Sequence, residues 1–143
     1  MSAQKFSIFI VEDSEIQLTM LSDHLSKYSN VEVTTFSSGD YCLKELIFGN
    51  VKEPDLILMD YFLDSTVNTA KDGLETLTKL KEIAPFSKVI MLTSVENKRI
   101  MDLAKQKGAH DYLIKGTGSY QKLDEILTTQ FSLTSGKTPA KKK

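Results

Sequence analysis

The chain is predicted to fold as a doubly wound α/β domain, a five-stranded parallel sheet with helices on both faces. Three features predict it. Short apolar runs alternate strictly with helix-period segments, five of each, which implies parallel strands joined by right-handed helical crossovers. The third and fourth runs, "DLILMD" and "SKVIMLTS", have unbroken apolar centres, as strands covered on both faces do. A length of 143 residues, 41% hydrophobic and 26% charged, suits one domain with a substantial core.

The elements follow in order. "FSIFIV" (6–11) reads as a strand. Residues 14–28 read as a helix, with Leu18, Leu21, Leu25 and Tyr28 along one stripe. Ser14 and Gln17 stand at capping-box spacing at its start. "VEVTTF" (31–36) alternates as a strand does, and "GDYCLKELIFGN" gives a short helix ending near Gly49. Pro54 punctuates before the third strand. After a polar loop, Asp72 to Ala84 form a helix with Leu74, Leu77, Leu80 and Ile83 on one face, stopped by Pro85. The fourth strand leads to a helix in "VENKRIMDLAKQKGA" that ends at Gly108. "DYLIK" is the last strand and "SYQKLDEILTTQF" the last helix. The domain is set at 5–130, and the polar segment 131–143 is expected to be a disordered basic tail. About a dozen residues leave no room for an output domain, so none is expected.

Charge and cysteine narrow the function. The net charge is −1, yet the last fourteen residues hold four lysines and no acid, which leaves −5 on the rest. An acidic body argues against nucleic acid as the main ligand. One cysteine, Cys42, excludes an internal disulfide and reads as a small core residue. With no signal-like N-terminus, it points to a reducing, cytoplasmic setting. No apolar run approaches the roughly 18 residues of a membrane span. His24 and His110 are expected at the surface without a role. The basic residues of the fourth helix, Lys98, Arg99, Lys105 and Lys107, suit a solvated face or a docking surface.

Function in an open parallel sheet gathers at the carboxyl ends of its strands. There the first strand runs into Glu12 and Asp13, the third into Asp60, the fourth into Thr93 and Ser94, and the fifth into Lys115. Three converging carboxylates repel one another and need a cation. Hard oxygen ligands without His or Cys suit Mg²⁺. Beside such a metal, an amine and a hydroxyl can neutralise and bind a phosphoryl group, and a carboxylate can accept it as an acyl phosphate. Asp60 is the best acceptor because the central strand places it between the acid pair and Lys115. Taken singly, several of these residues have plainer uses. Glu12 and Asp13 suit a helix N-terminus, Thr93 and Glu96 have capping-box spacing, and Lys115 could end a strand in solvent. An acid closing four apolar residues, as Asp60 does, has no such use.

"VEDS", "LILMD", "VIMLTS" and "GAHDYLIK", in that order on successive strands, resemble the receiver domain of two-component response regulators from about Lys5 to about Gln130. The resemblance implies the flavodoxin-like strand order 2-1-3-4-5; a receiver protein is the standard example of that order. It also implies roles by position. Asp60 is the phosphoacceptor. Glu12, Asp13, Asp60 and the backbone carbonyl of Phe62 hold Mg²⁺, for which Mn²⁺ can substitute. Thr93 is the switch hydroxyl, Lys115 the charge partner of the phosphoryl group, and Tyr112 the aromatic that turns inward on activation. Small Ser94 keeps the phosphoryl site open. The implied partners are a sensor histidine kinase or histidine phosphotransfer protein, and a downstream protein bound through the last two helices and the strand between them. A stand-alone phosphoacceptor, not an enzyme, is expected, with no direct DNA binding and a monomer or weak dimer.

Three departures individualise the chain. Leu63-Asp64 follows the acceptor where a Met-Pro-like pair is usual, and "STVNTAK" lengthens the loop before Asp72-Gly73. Gly116 follows Lys115 where a cis proline is usual, so this peptide bond is expected to be trans and its loop mobile. Apolar Phe62 and Val95 stand where polar side chains can assist hydrolysis, which suggests a slowly lost phosphoryl group. Phe62→Asn with Val95→Glu is then expected to shorten its lifetime, read by the decay of the phosphorylated mass; an unchanged lifetime removes the idea. Two other classes fit less well. A haloacid-dehalogenase-like phosphohydrolase needs a second Asp at the position of Phe62, and a flavodoxin-like cofactor binder needs a phosphate cradle where "EDSE" stands.

Overall fold

The computed structural model describes residues 5–60, 69–94 and 96–135, without the side chains of 69–72. Its elements are β1 (Phe6–Val11), α1 (Glu15–Leu25), β2 (Val31–Phe36), α2 (Gly39–Phe48), β3 (Leu56–Met59), α3 (Thr69–Ile83), β4 (Lys88–Thr93), α4 (Lys98–Gln106), β5 (Asp111–Ile114) and α5 (Ser119–Gln130). All four strand pairings are parallel, in the order β2-β1-β3-β4-β5. The fold is the flavodoxin-like one expected. The order reverses at β1, so a crevice opens outside the carboxyl ends of β1 and β3.

Side-chain alternation along each strand builds two cores. Phe9, Val11, Ile57, Met59, Val89, Met91 and Tyr112 pack with Cys42 and Leu43 of α2, Leu77 and Leu80 of α3, and Ala104 of α4. Ile8, Ile10, Leu56, Leu58, Ile90, Leu92 and Leu113 pack with Leu21 and Leu25 of α1 and with Leu123, Ile126 and Leu127 of α5. Each fully buried Leu or Ile stabilises the fold by about 1.5–3 kcal/mol. The centre of the sheet, β3 with the inner parts of β1 and β4, is thus dry on both faces.

Local signals explain most boundaries. Ser14 caps α1 by accepting from Gln17 N at 3.3 Å, and Ser38 caps α2 by accepting from Tyr41 N at 3.1 Å. Two helix starts differ from expectation. α3 begins at Thr69, so Thr69, Ala70 and Lys71 of the inserted segment belong to a helix and the loop is shorter than the sequence suggests. The Asp-Gly pair marks the first turns of α3 without starting it. α4 begins at Lys98 because Asn97, whose side chain accepts from Ile100 N at 3.2 Å, is the cap. Thr93 is therefore no cap; it closes β4 with its side chain fully buried.

His24 also departs from its expected surface position. It is half-buried, and its Nε2 lies 2.9 Å from Asp124 Oδ1. Lys27 Nζ donates to Asp124 Oδ2 at 2.7 Å, and the Tyr28 hydroxyl donates to Oδ1. One carboxylate of α5 thus gathers three donors from α1 and the turn after it. Past α5, Phe131 packs against the rings of Phe6 and His110 and Leu133 is buried. Ser29 N donates to Thr134 O at 3.2 Å. Residues 136–143, with all four tail lysines, lie outside the described residues. Among the described residues no helix is long and apolar enough to cross a membrane.

Candidate functional site

The sheet carries its own alternation into the crevice. Glu12 continues the Ile8–Ile10 side of β1, Asp60 the Leu56–Leu58 side of β3, and Lys115 the Leu113 side of β5. Their backbones are pinned: Glu12 N donates to Phe36 O at 2.9 Å, Asp60 N to Val11 O at 2.9 Å and Lys115 N to Thr93 O at 2.7 Å. The side chains then meet. Lys115 Nζ lies 3.0 Å from Asp60 Oδ1 and 3.1 Å from Glu12 Oε1. Asp13, on the opposite parity and exposed, completes a cluster in which one oxygen from each of Glu12, Asp13 and Asp60 lies within 4.8 Å of the others. A cleft of about 200 Å³ opens beside these acids, lined also by Ser37, Ser38 and Thr76.

The electrostatics are strained by design of the position. Burial pushes the Asp60 carboxyl up to about 6; Lys115 pulls it down, and neighbouring Glu12 pushes it up again. Burial works to lower the Lys115 ammonium, but Asp60 and Glu12 outweigh it and hold it above its ordinary range. One amine therefore serves two acids, with a third acid close by. Hard carboxylate oxygens crowded at an open cleft fit a small divalent cation of the Mg²⁺ kind, which keeps waters of its own. No His or Cys belongs to this cluster.

A family model described as the response regulator receiver domain matches residues 8–128. The chain belongs to this family. Receiver domains are signalling proteins that become phosphorylated, generally not enzymes, and they bind Mg²⁺ at an acidic pocket. The response regulator protein VraR of Staphylococcus aureus (strain NCTC 8325 / PS 47) is 32% identical over 123 residues, covering 85% of this chain and 55% of that protein. The chain thus spans about half the length of the curated relatives it matches. The crystal structure of the phosphorylated cyanobacterial phytochrome response regulator RcpA superposes with a TM-score of 0.74 at 25% identity, covering 93% of this chain and all of that one. The Mn²⁺-bound form of response regulator Rcp1 shares the fold, with a TM-score of 0.73 at 22% identity over 87% of this chain and 93% of that one.

Within this receiver the remaining expected residues divide by face. Thr93 and Tyr112 lie on the opposite side of the sheet from Lys115, the side of α2, α3 and α4. Thr93 is 0% and Tyr112 5% exposed, and burial pushes the Tyr112 hydroxyl up to about 12. Ser94 is exposed beside Thr93. Phe62, whose carbonyl is the expected fourth metal ligand, lies outside the described residues, as do Leu63, Asp64 and Val95. The Lys115–Gly116 peptide bond is trans, as expected, and Gly116 and Gly118 have φ of 147° and 87°, a left-handed backbone that glycine allows. Sequence reasoning missed Gln17 of α1, whose side-chain oxygen accepts from Lys115 Nζ. Its place in the first turn of α1, three residues after the cap Ser14 and next to the strand end, was a signal.

Proposed function

We propose that this receiver takes a phosphoryl group on Asp60 from a phosphohistidine of a sensor histidine kinase or a histidine phosphotransfer protein. The observation that carries the reading is the amine of Lys115 held 3.0 Å from the Asp60 carboxylate inside a three-acid cluster at the sheet's switch point. An Asp60 oxygen attacks phosphorus as the phosphorus–nitrogen bond breaks. The imidazole leaves with that electron pair and takes up a proton. Lys115 stands where charge grows on the phosphoryl oxygens and orients them by hydrogen bonding. Glu12, Asp13 and Asp60, with the Phe62 carbonyl, would hold a Mg²⁺ ion, which would supply further positive charge at the site. RcpA, similar over its whole length, is a receiver relative described in phosphorylated form, which supports the reading.

Two surfaces suit the partners. Ile16 and Met20, 73% and 55% exposed, stand one turn apart on α1. Met20 lines a groove of about 660 Å³ that runs past Leu21 to Lys115 and Tyr120. A donor seated there would lie beside Lys115, the ion-pair partner of Asp60. The output face is α4, β5 and α5. Thr93 and Tyr112 lie on one side of the sheet between the acceptor and α4, so a phosphoryl group that draws Thr93 towards it frees space that Tyr112 can fill. The signal is then binding of a downstream protein, or transfer of the phosphoryl group onward.

Incubation with acetyl phosphate and Mg²⁺ tests the reading by intact mass. Wild type is expected to gain one phosphoryl group and Asp60→Ala none, and EDTA is expected to suppress the gain. A phosphoryl group on another residue, or none on wild type, overturns it.

A further inference from the structure

We infer that Gln17 is a positioning residue for Lys115, fixing its amine from α1. The inference rests on the proposed phosphoryl transfer to Asp60 and deepens it.

Lys115 is pinned at its backbone, where its N donates to Thr93 O, but its amine reaches the site on a four-carbon stem beside two glycines. Gly116 and Gly118 are both left-handed, nothing lies within 4 Å of the Cβ position of either, and α5 starts without a side-chain cap. A flexible lysine loses side-chain entropy when it is fixed. An ammonium has three N–H donors. Here they meet three acceptors: Asp60 Oδ1 at 3.0 Å, Glu12 Oε1 at 3.1 Å and the side-chain oxygen of Gln17. Two of these are charged and belong to the cluster itself. Gln17 is the neutral one, and it comes from a different element.

The third acceptor is itself fixed, through a closed ring of hydrogen bonds. Gln17 N donates to Ser14 Oγ at 3.3 Å, and Ser14 N donates to Glu12 Oε2 at 3.0 Å. Glu12 Oε1 accepts from Lys115, which donates to Gln17. The N-cap of α1, the first strand end and the lysine thus share one network. Its geometric effect is to hold the amine over Asp60 from the α1 side. The side-chain oxygen of Gln17 bonds to Lys115, not to Asp60, so it acts on the acceptor through Lys115.

Gln17→Leu removes the acceptor and keeps the bulk. With acetyl phosphate and Mg²⁺, the variant is expected to lower the maximal phosphorylation rate about three- to tenfold, the size of one ordinary net hydrogen bond. The donor concentration at half-maximal rate and the thermal unfolding midpoint are expected to stay as in wild type. In a sample with ¹³C-labelled lysine, the Cε resonance of Lys115 is expected to move in Gln17→Leu while the other lysine resonances stay. An unchanged rate, a change confined to half-saturation, or an unmoved Lys115 resonance overturns the inference. If wild type takes up no phosphoryl group, the reading of Asp60 fails, and the Lys115 resonance still decides the contact.

Discussion

Asp60 shows how one residue can be placed against its own stability. Its carboxyl is raised from 3.8 to about 6, with burial as the first cause. An acid raised on folding binds its proton more tightly in the native state. Its contribution is therefore favourable below the unfolded value near 3.8 and is lost as pH rises through about 6. At pH 7 the metal-free protein carries Asp60 as a cost. Asp60→Asn is then expected to raise the unfolding midpoint at pH 7 and to leave it nearly unchanged at pH 4. Thermal unfolding of both proteins at the two pH values, without metal, reads this directly; a variant less stable at pH 7 contradicts it. Mg²⁺ is expected to raise the midpoint of wild type more than that of the variant, because only wild type offers all three carboxylates.

At the scale of elements, α1 and α5 are joined through a single carboxylate. Burial works to raise Asp124, but Lys27, Tyr28 and His24 together hold it below the usual carboxylate range. For a lowered acid the stabilisation is full above the unfolded value and is lost as pH falls through the folded one. Asp124→Ala is expected to cost about 1 kcal/mol at pH 7, the low end for a charged hydrogen-bond cluster, because these side chains are part open to solvent. Urea unfolding is expected to show the gap between wild type and variant closing as pH falls below the ordinary carboxylate range. A gap that stays constant with pH assigns the loss to packing instead. The helix stripes were legible in the sequence, since Leu77 and Leu80 face the core as their spacing requires. The partners of His24 were not. A residue on α1 meets one a hundred positions away on α5 only because both helices lie on the same side of the sheet.

For the whole molecule, the proposed phosphoacceptor site and the proposed switch residues lie on opposite sides of the sheet. Glu12, Asp60 and Lys115 continue the side packed by α1 and α5, whereas Thr93 and Tyr112 belong to the side packed by α2, α3 and α4. A phosphoryl group on Asp60 has to be felt across the strand ends. Phosphorylation is expected to shift amide resonances of β4, α4 and β5 more than those of α2, in a two-state exchange. Shifts confined to residues touching Asp60 would sink the idea that Thr93 and Tyr112 carry a signal. Leu58→Ala, at the dry centre of β3, is expected to cost about 2–5 kcal/mol by leaving a cavity, and chemical denaturation measures it.

The sequence by itself determined the alternation of strands and helices, and with it the fold. It also determined which residues stand at the strand ends. Apolar periodicity and the rule that function gathers at carboxyl ends are local or topological, so Glu12, Asp13, Asp60, Thr93 and Lys115 could be placed before any coordinates. The tertiary structure alone decided the contacts made across elements. Lys115 meeting Gln17, Asp124 gathering three donors, and the burial of Thr93 that excludes a capping role all depend on how helices sit on the sheet. Sequence spacing sets the face of an element on which a side chain stands; only packing sets what stands opposite.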